Sequence, residues 1–239
     1  MPGSFAKAWA HADGVDGWLT QPQGRALFDA ATKVPAGRAA IEVGSHRGKS
    51  TILLASGLTD GVTLTAIDPF DDPRWGGGPE SLEIFKANLE RAGVTDRVEL
   101  HRGLSKEAAS AWSGPPVALA WIDGAHDRDS VLLDIDGWDR HLVDGGTMLL
   151  HDAFSAIGTT RAVLRRLWWT RRYRYLGCER TLVAFRKEQR SPLGALTDAI
   201  RLSPRLAFFA RMVAIKLARR RGHQGLERLF MRGENEPLI

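Results

Sequence analysis

The stretch of sequence that decides the fold reads Ile41-Glu42-Val43-Gly44-Ser45-His46-Arg47-Gly48-Lys49-Ser50. An apolar strand pattern ends at Val43, and a helical pattern begins at Lys49. Gly44, directly after the strand, lets backbone N–H groups approach a ligand, and Gly48 opens the helix. Their spacing matches neither the G-x-G-x-x-G of dinucleotide-binding folds nor the G-x-x-x-x-G-K-[ST] of phosphate-binding loops. The stretch predicts a βα turn that cradles a ligand other than a pyrophosphate, with a plain tight turn as the alternative.

The ends of the first three predicted strands carry groups that suit a nucleoside with a cationic amine. Glu42 lies at the end of an apolar strand, where an acid attracts an amine and repels a pyrophosphate. Asp68 ends the second strand, where a carboxylate accepts both hydroxyls of a ribose, although an acid there is also a common turn former. Ser105 follows the third strand in the run R-G-L-S, which leaves a glycine and a hydroxyl beside the space for an adenine.

Strands and helices alternate along most of the chain. Five apolar runs predict buried strands, at Ala39–Val43, Leu64–Asp68, Val98–His101, Ala118–Asp123 and Thr147–His151. Helical spacing occurs at Lys49–Gly57, Pro79–Ala92, Lys106–Trp112, Arg128–His141 and Thr159–Trp169, and an antiparallel pair at Arg172–Leu176 and Thr181–Arg186. The pattern predicts an α/β fold, a Rossmann-like doubly wound sheet of five parallel strands plus an antiparallel edge hairpin.

Four polar side chains follow the fourth and fifth predicted strands: Asp123, His126, His151 and Asp152. Ligands of open α/β sheets bind at the carboxyl ends of the strands, so these groups are expected to converge. Carboxylates with imidazole suit a divalent cation, which lowers the pKa of a bound hydroxyl. The alternative is a set of separate solvated or capping residues.

The domain organisation is predicted as an N-terminal helical cap at 1–38, a ligand-binding domain at 39–190 and a basic helical tail at 191–239. The chain has a net charge of +5, but residues 186–239 hold 12 of its 33 basic residues and 5 of its 28 acidic residues. The rest is nearly neutral, which argues against a core that binds nucleic acid. The tail has an apolar stripe of Leu202, Leu206, Phe209, Val213 and Leu217, flanked by Arg201, Arg205, Arg211, Lys216 and Arg219–Arg221. It predicts a helix that packs on its own domain or on a dimer partner, with peripheral contact to an anionic membrane as the alternative.

The composition excludes several kinds of protein and of metal site. The single cysteine, Cys178, excludes an internal disulfide and a cysteine-cluster metal site. No early segment has the pattern of a secretion signal, and no apolar run is long enough to span a bilayer. We therefore expect a cytoplasmic protein, with the inner membrane face as a second location if the tail binds lipid.

The loop Asp71–Gly78, with Trp75, suits a lid or a plain solvated loop.

Five motifs in order resemble the class I S-adenosylmethionine-dependent methyltransferases: E-V-G-S-x-x-G-K-S-T, A-I-D-P-F, R-G-L-S, W-I-D-G-A-H and G-G-T-x-L-x-H-D. A helix with Asp134 and Trp138 follows the fourth motif, and the strand order fits the methyltransferase sheet. The resemblance covers about residues 39–186. It is strongest to the metal-dependent sugar O-methyltransferases of the macrocin type and the cephalosporin hydroxylase-like proteins.

The resemblance implies roles for individual residues. Glu42, Gly44, Ser45 and Gly48 would hold the methionine part of S-adenosylmethionine, with Asp68 on the ribose, Ser105 beside the adenine and Asp123 next to the cofactor. Asp123, His151 and Asp152 would hold magnesium, and His126 would be the general base. The family has an acid where this chain has His151, so His151 either favours manganese or is a second base.

The activity implied by the resemblance is metal-assisted methyl transfer to a hydroxyl of a sugar or a glycosylated small molecule. The acceptor is expected to be a small molecule or an oligosaccharide, and more narrowly a mannoside of a methylated polysaccharide. Three alternatives stay open at this point. They are a catechol or phenol O-methyltransferase, an RNA methyltransferase that uses the basic tail, and a non-catalytic nucleotide- or metal-binding module.

Overall fold

The computed structural model describes residues 3–71, 73 and 77–220, with side chains as far as residue 217. Its sheet contains β1 (Ala39–Val43), β2 (Leu64–Asp68), β3 (Val98–Arg102), β4 (Val117–Ile122), β5 (Leu142–Leu150), β6 (Tyr173–Glu179) and β7 (Leu182–Lys187). The spatial order is β3-β2-β1-β4-β5-β7-β6. β1–β5 are parallel, and β7 is antiparallel to both β5 and β6. The predicted five parallel strands with an antiparallel edge hairpin are confirmed.

The helices are α1 (Phe5–Ala12), α2 (Gln21–Ala31), α3 (Lys49–Gly57), α4 (Ser81–Ala92), α5 (Ser105–Ala111), α6 (Arg128–Asp139), α7 (Ile157–Val163), α8 (Pro192–Leu202) and α9 (Pro204–Arg220). Several ends follow from local chemistry. The Asp127 carboxylate accepts the Ser130 N–H at 3.0 Å and starts α6. Ser191 caps α8 in the same way, and Gly93, in the left-handed region at φ 68°, ends α4.

Side chains of the strands alternate between two apolar clusters on opposite faces of the sheet. In β1, Ala40 belongs to the cluster that includes buried residues of α1–α4. Ile41 and Val43 belong to the cluster that includes residues of α5–α8. Residues of the predicted N-terminal cap therefore belong to the first apolar cluster, and residues at the start of the predicted tail belong to or pack against the second.

Two predicted strands differ from the observed ones. The sequence predicts a buried β3, but Glu99 and Leu100 are exposed because β3 is the edge of the sheet. β5 begins at Leu142, five residues before the predicted start at Thr147. Its pairing with β4 jumps from Leu142 to Thr147, so the segment between them is accommodated as a bulge.

The described part of α9 packs on its own domain. Met212 and Ile215 of α9 and Leu202 at the end of α8 are buried, and Leu206 and Phe209 pack against the second cluster. The predicted apolar stripe is therefore correct at Leu202, Leu206 and Phe209, whereas Leu217 is 46% exposed and the buried positions near it are Met212 and Ile215. Arg221, the side chains of Arg219 and Arg220, and the predicted lid residue Trp75 lie outside the described residues. Among the helices that the structure describes, none combines the length and the apolar character that crossing a bilayer requires.

Candidate active site

A cavity of about 1290 Å³ lies at the carboxyl ends of the parallel strands. Eight of the predicted site residues line it: Gly44, Ser45, Asp68, Ser105, Asp123, His126, His151 and Asp152. Glu42 and Gly48 are absent from the lining formed by the described residues. The fold thus brings residues that follow five different strands to one cavity.

Glu42 lies behind the cavity wall and is fully buried. Its carboxylate accepts hydrogen bonds from the hydroxyls of Ser50, at 2.5 Å, and Thr51 in the first turn of α3. Burial raises the pKa of Glu42 to about 7, although the hydrogen bonds from Ser50 and Thr51 lower it. In this arrangement Glu42 is bound by these hydroxyls and does not line the cavity, and its direct contact with the cofactor amine stays a prediction. Ser50, which lines the cavity, links the buried acid to the site.

The two glycines of the decisive stretch have packing roles. Gly44 has a φ of 86°, and a Cβ atom on it would lie 2.2 Å from the carbonyl oxygen of Asp123. Only glycine permits this crossing of the loops after β1 and β4. A Cβ atom on Gly48 would lie 3.2 Å from the ring of Phe85 in α4. Gly48 faces α4 and is absent from the cavity lining formed by the described residues, and its contact with the cofactor stays a prediction.

Asp68 holds the loop after β1 in place. One carboxylate oxygen accepts the N–H groups of Ser45 and His46, each at 2.9 Å. The other accepts the N–H of Phe70 at 2.7 Å. A carboxylate offers about four lone-pair positions, so Asp68 retains acceptor capacity toward the cavity. It can organise the loop and accept a ribose hydroxyl.

Ser105 lies beside an acid that the sequence motifs did not assign to the site. The Trp138 indole donates to the Ser105 hydroxyl oxygen at 2.9 Å, and Asp134 also hydrogen-bonds Ser105. Asp134 is 6% exposed and lines the cavity. Burial raises its pKa to about 6, although the Ser105 hydrogen bond lowers it. The available signal was an acid on the otherwise apolar stripe of α6 that includes Ile135 and Trp138.

Asp123, His126 and Asp152 form the polar cluster that the sequence predicts, but with His126 in the place expected for His151. One ligand atom of each residue lies within 4.8 Å of those of the others. The Nε2 atom of His126 is 3.2 Å from a carboxylate oxygen of Asp152 and 4.0 Å from one of Asp123. The two carboxylates at this spacing fit a divalent cation, with the imidazole of His126 beside them.

His151 lies behind this cluster and is 5% exposed. Its Nδ1 atom is 3.1 Å from an Asp123 carboxylate oxygen, and its Nε2 atom is 3.3 Å from the Gln23 amide nitrogen. Burial lowers the pKa of His151, but the charge and hydrogen bond of Asp123 and the charge of Asp152 outweigh it and raise the pKa to about 9. Both ring nitrogens have partners in this arrangement, and the roles of His151 as a metal ligand or as a second base stay predictions.

Gln23 of α2 is a site residue that sequence reasoning missed. Its side-chain oxygen accepts the backbone N–H of Thr20 at 3.0 Å and the Thr20 hydroxyl at 2.9 Å. Its amide nitrogen therefore faces the sheet, 3.0 Å from the hydroxyl oxygen of Thr181 as well as 3.3 Å from His151. The pattern T-x-x-Q was a readable signal for a helix start, but no pattern showed where the amide would point.

One side of α9 forms part of the cavity wall. The residues that line it are Arg205, Phe208, Met212 and Lys216, here called the α9 face. They are spaced three, four and four residues apart, which places them on one side of a helix. The sequence predicts a helix that packs on its own domain or on a dimer partner, but it does not predict that this helix lines the cavity.

Comparison with known proteins agrees with the geometry. Residues 41–153 match the model of a family described as a methyltransferase domain. A protein of Mycolicibacterium smegmatis named as an O-methyltransferase is 31% identical over 149 residues, which cover 62% of this chain and 66% of that protein. A catechol O-methyltransferase of Mycobacterium tuberculosis is 28% identical over 134 residues, which cover 56% of each chain.

A solved structure shows the same fold. An O-methyltransferase from Bacillus cereus, in complex with S-adenosylhomocysteine, superposes with a TM-score of 0.54 at 20% identity, over 76% of this chain and 87% of that chain. The curated relatives named above are matched over less than two thirds of their own length. Residues 41–153 are therefore similar to a methyltransferase domain, and the sheet around them has the fold of the solved O-methyltransferase.

Proposed function

We propose that this protein is an O-methyltransferase that transfers the methyl group of S-adenosylmethionine to a hydroxyl of a sugar or a glycosylated small molecule. The observation that supports this most directly is the convergence of Asp123, His126 and Asp152 in the same cavity as the loop after β1. In-line methyl transfer requires an acceptor oxygen held close to the methyl group and a group that takes its proton. The cavity supplies both kinds of group at neighbouring strand ends.

The cofactor half of the proposed site lies at β1, β2 and β3. Ser45, Asp68 and Ser105 line it, and Asp134 adds a buried acid next to Ser105. S-adenosylmethionine, when bound, supplies an electrophilic methyl group on a sulfonium. The residues of the chain bind and orient it, with Asp68 fixing the loop that approaches the methionine part.

His126 is the proposed proton acceptor. Its imidazole is partly exposed to the cavity and lies 3.2 Å from Asp152. An imidazolium formed by proton uptake from the acceptor hydroxyl would be stabilised by this carboxylate. Asp152 itself is positioned by the Ser155 hydroxyl, which donates to it at 2.8 Å.

Asp123 and Asp152 would hold a divalent cation, magnesium or manganese, with His126 beside them. When bound, the cation would supply a Lewis-acidic contact that favours ionisation of the acceptor hydroxyl. Both carboxylates line the cavity, and hard cations prefer such oxygen ligands.

Two acceptor types offer a hydroxyl that this site could methylate. A sugar diol is the first, with a mannoside as the narrower candidate. A catechol or phenol is the second, and it is favoured by the similarity to a catechol O-methyltransferase and by Phe208 and Met212 in the cavity wall. The basic tail was the basis of the RNA alternative. Residues 204–217 of that tail pack on the domain itself, so we do not carry this alternative further.

A dimer partner and an anionic membrane are the two proposed partners of the tail. Its packing on its own core favours the role of a domain element, and a dimer contact or a contact with anionic lipid is tested by sedimentation alone and with anionic vesicles. If the protein sediments as a monomer on its own, the proposed dimer contact is contradicted. If it stays in the supernatant when the vesicles are pelleted, the proposed contact with anionic lipid is contradicted. We also propose that the protein resides in the cytoplasm.

The test of the proposed function is a methyl-transfer screen over methyl mannoside, other methyl glycosides and catechol, with added magnesium or manganese. We expect product with at least one of these acceptors. His126→Ala and Asp152→Ala should lower turnover by roughly a hundredfold or more and leave S-adenosylhomocysteine binding nearly unchanged. Asp129→Ala, at an acid whose side chain is 73% exposed, is the matched control and should keep full activity. Full turnover in both cluster variants would contradict the assignment.

A further inference from the structure

The α9 face lies next to the half of the cavity that contains the polar cluster. The Lys216 ammonium donates to the carbonyl oxygen of Ser155 at 2.9 Å, and the Ser155 hydroxyl donates to Asp152. At the other end of the face, the Arg205 guanidinium donates to the carbonyl oxygen of Cys178 in β6 at 3.3 Å. The loop after β1, and Asp68 at the end of β2, lie on one side of β4 in the strand order, whereas β5, β7 and β6 lie on the other side. The α9 face is therefore placed to contact an acceptor.

The two cations of the α9 face retain their charge toward the cavity. The contacts that the structure gives Lys216 and Arg205 are to neutral groups, namely the two carbonyl oxygens and, for Arg205, the Tyr175 hydroxyl. In the part of the chain that the structure describes, neither side chain forms an ion pair. Arg205 is half-buried, so its charge is only partly screened by water.

Between these cations the α9 face is apolar. Phe208 and Met212 occupy the two intermediate positions, and Met212 is 4% exposed. An aromatic ring and a thioether provide a surface for an apolar body or a ring of a ligand. A planar guanidinium next to such a surface is suited to a carboxylate or a phosphate, which it binds through two parallel hydrogen bonds.

We propose that the α9 face selects acceptors that carry an anionic group, with Arg205 binding the anion and Phe208 and Met212 contacting the apolar part of the molecule. This inference rests on the proposed function, because it assigns the hydroxyl of the same acceptor to His126 and Asp152. It narrows the acceptor class to hydroxylated acids, such as a carboxylated catechol or a sugar acid. Lys216 has a positioning role, since its hydrogen bond to Ser155 ties α9 to the loop that carries Asp152.

The test compares pairs of probes that differ by one carboxylate: 3,4-dihydroxybenzoate against catechol, and methyl glucuronide against methyl glucoside. Binding to the full chain is measured by calorimetry with saturating S-adenosylhomocysteine and magnesium, and methyl transfer is measured separately with S-adenosylmethionine. We expect the wild type to bind at least one acid about tenfold or more tightly than its neutral partner, as a charge-assisted contact implies. Arg205→Gln should remove this preference and leave binding of the neutral partner within about twofold.

Two further variants keep the result decisive. Arg205→Lys retains the charge but not the planar fork, and should recover part of the preference. Lys86→Gln removes one positive charge from an exposed pair with Glu83 on α4, and should keep the full preference. Thermal unfolding of each variant shows that the fold is intact.

The outcomes separate this inference from the proposed function. Methylation of neutral probes without any preference for acids would leave the proposed function standing and overturn the role of Arg205. An acid preference in binding that Arg205→Gln removes, without methyl transfer to any probe, would support the role of Arg205 and count against hydroxyl methylation. Equal acid preference in wild type and Arg205→Gln, or no binding of either acid, would overturn the inference.

Discussion

The amide nitrogen of Gln23 in α2 lies 3.3 Å from the Nε2 atom of His151 at the end of β5. Thr20 fixes the orientation of this amide, because its N–H and hydroxyl both donate to the Gln23 oxygen. The Nδ1 atom on the other side of the ring lies 3.1 Å from the Asp123 carboxylate, so the ring of His151 is held between Gln23 and Asp123. The N-terminal helices thus reach the polar cluster through a chain of three side chains and help to orient the Asp123 carboxylate.

This relationship predicts that Gln23 acts on turnover through Asp123. Gln23→Leu removes the donor to His151, and Gln23→Glu keeps the acceptor for Thr20 but replaces the amide donor by an oxygen. Both should lower kcat by about tenfold, the size usual for groups that orient metal or catalytic carboxylates, with S-adenosylhomocysteine affinity nearly unchanged. Gln21→Leu, at an exposed position of the same helix, is the control. Wild-type kcat in both Gln23 variants would show that the contact has no part in orienting Asp123.

The crossing of Gly44 over Asp123 predicts a severe cost for any side chain at residue 44. Gly145 is a matched control, because its φ of 83° resembles the 86° of Gly44 and a Cβ atom on it would meet nothing within 4 Å. Gly145→Ala should cost about 1 kcal/mol of unfolding free energy from the left-handed backbone alone. Gly44→Ala adds a clash with the Asp123 carbonyl, so it should cost at least about twice as much, or fail to fold. Equal costs in urea unfolding would mean that the loops are free to separate.

The sequence was sufficient for the sheet because local signals and tertiary structure agree there. β1, β2 and α3 have the predicted bounds, since their apolar runs end at glycine or aspartate and the strands are buried between two layers of helices. The convergence of Asp123, His126 and Asp152 also followed from topology alone, because parallel strands end at one edge.

The rest of the site depends on contacts between segments distant in sequence. Gln23 and His151 are 128 residues apart, and no periodic pattern connects them. The hydrogen-bond partners of Glu42 and His151 could not be predicted for a related reason. A motif shows that a polar residue follows or ends a strand, but not whether Ser50, Thr51 or Gln23 already satisfies its side chain. The cavity-lining side of α9 was hidden because a basic amphipathic pattern does not show which surface the helix will pack against.

The buried acid Glu42 predicts a pH dependence of stability. Its pKa rises from 4.5 to about 7 on folding, so the folded state binds this proton more tightly than the unfolded state. The contribution to the unfolding free energy is therefore fully present below pH 4.5 and is lost as the pH rises to about 7, by up to about 3 kcal/mol. Glu42→Gln removes this term, so its stability relative to wild type should increase between pH 5 and pH 8.

Chemical denaturation at those two pH values measures the difference. Glu83→Gln, at a glutamate whose side chain is 72% exposed, should show the same pH dependence as wild type. Burial also raises the pKa of Asp134. Because Asp134 is present in the wild type and in both variants, its contribution to the pH dependence is the same in all three and cancels in the comparison. Parallel curves for wild type and Glu42→Gln would mean that Glu42 is ionised in the folded protein at pH 5.

The geometry of the polar cluster predicts separable roles for Asp152 and His126 in metal binding. Excess chelator should abolish most turnover without weakening S-adenosylhomocysteine binding, and manganese should restore it. Asp152→Asn removes a charged oxygen ligand and should weaken manganese binding by about tenfold or more. His126→Ala should leave manganese affinity within about threefold while turnover falls, because a proton acceptor contributes to the reaction rather than to ion binding. Since the Nε2 atom of His126 lies only 3.2 Å from Asp152, the opposite result, a parallel loss of manganese affinity in both variants, would make His126 a ligand and require another proton acceptor.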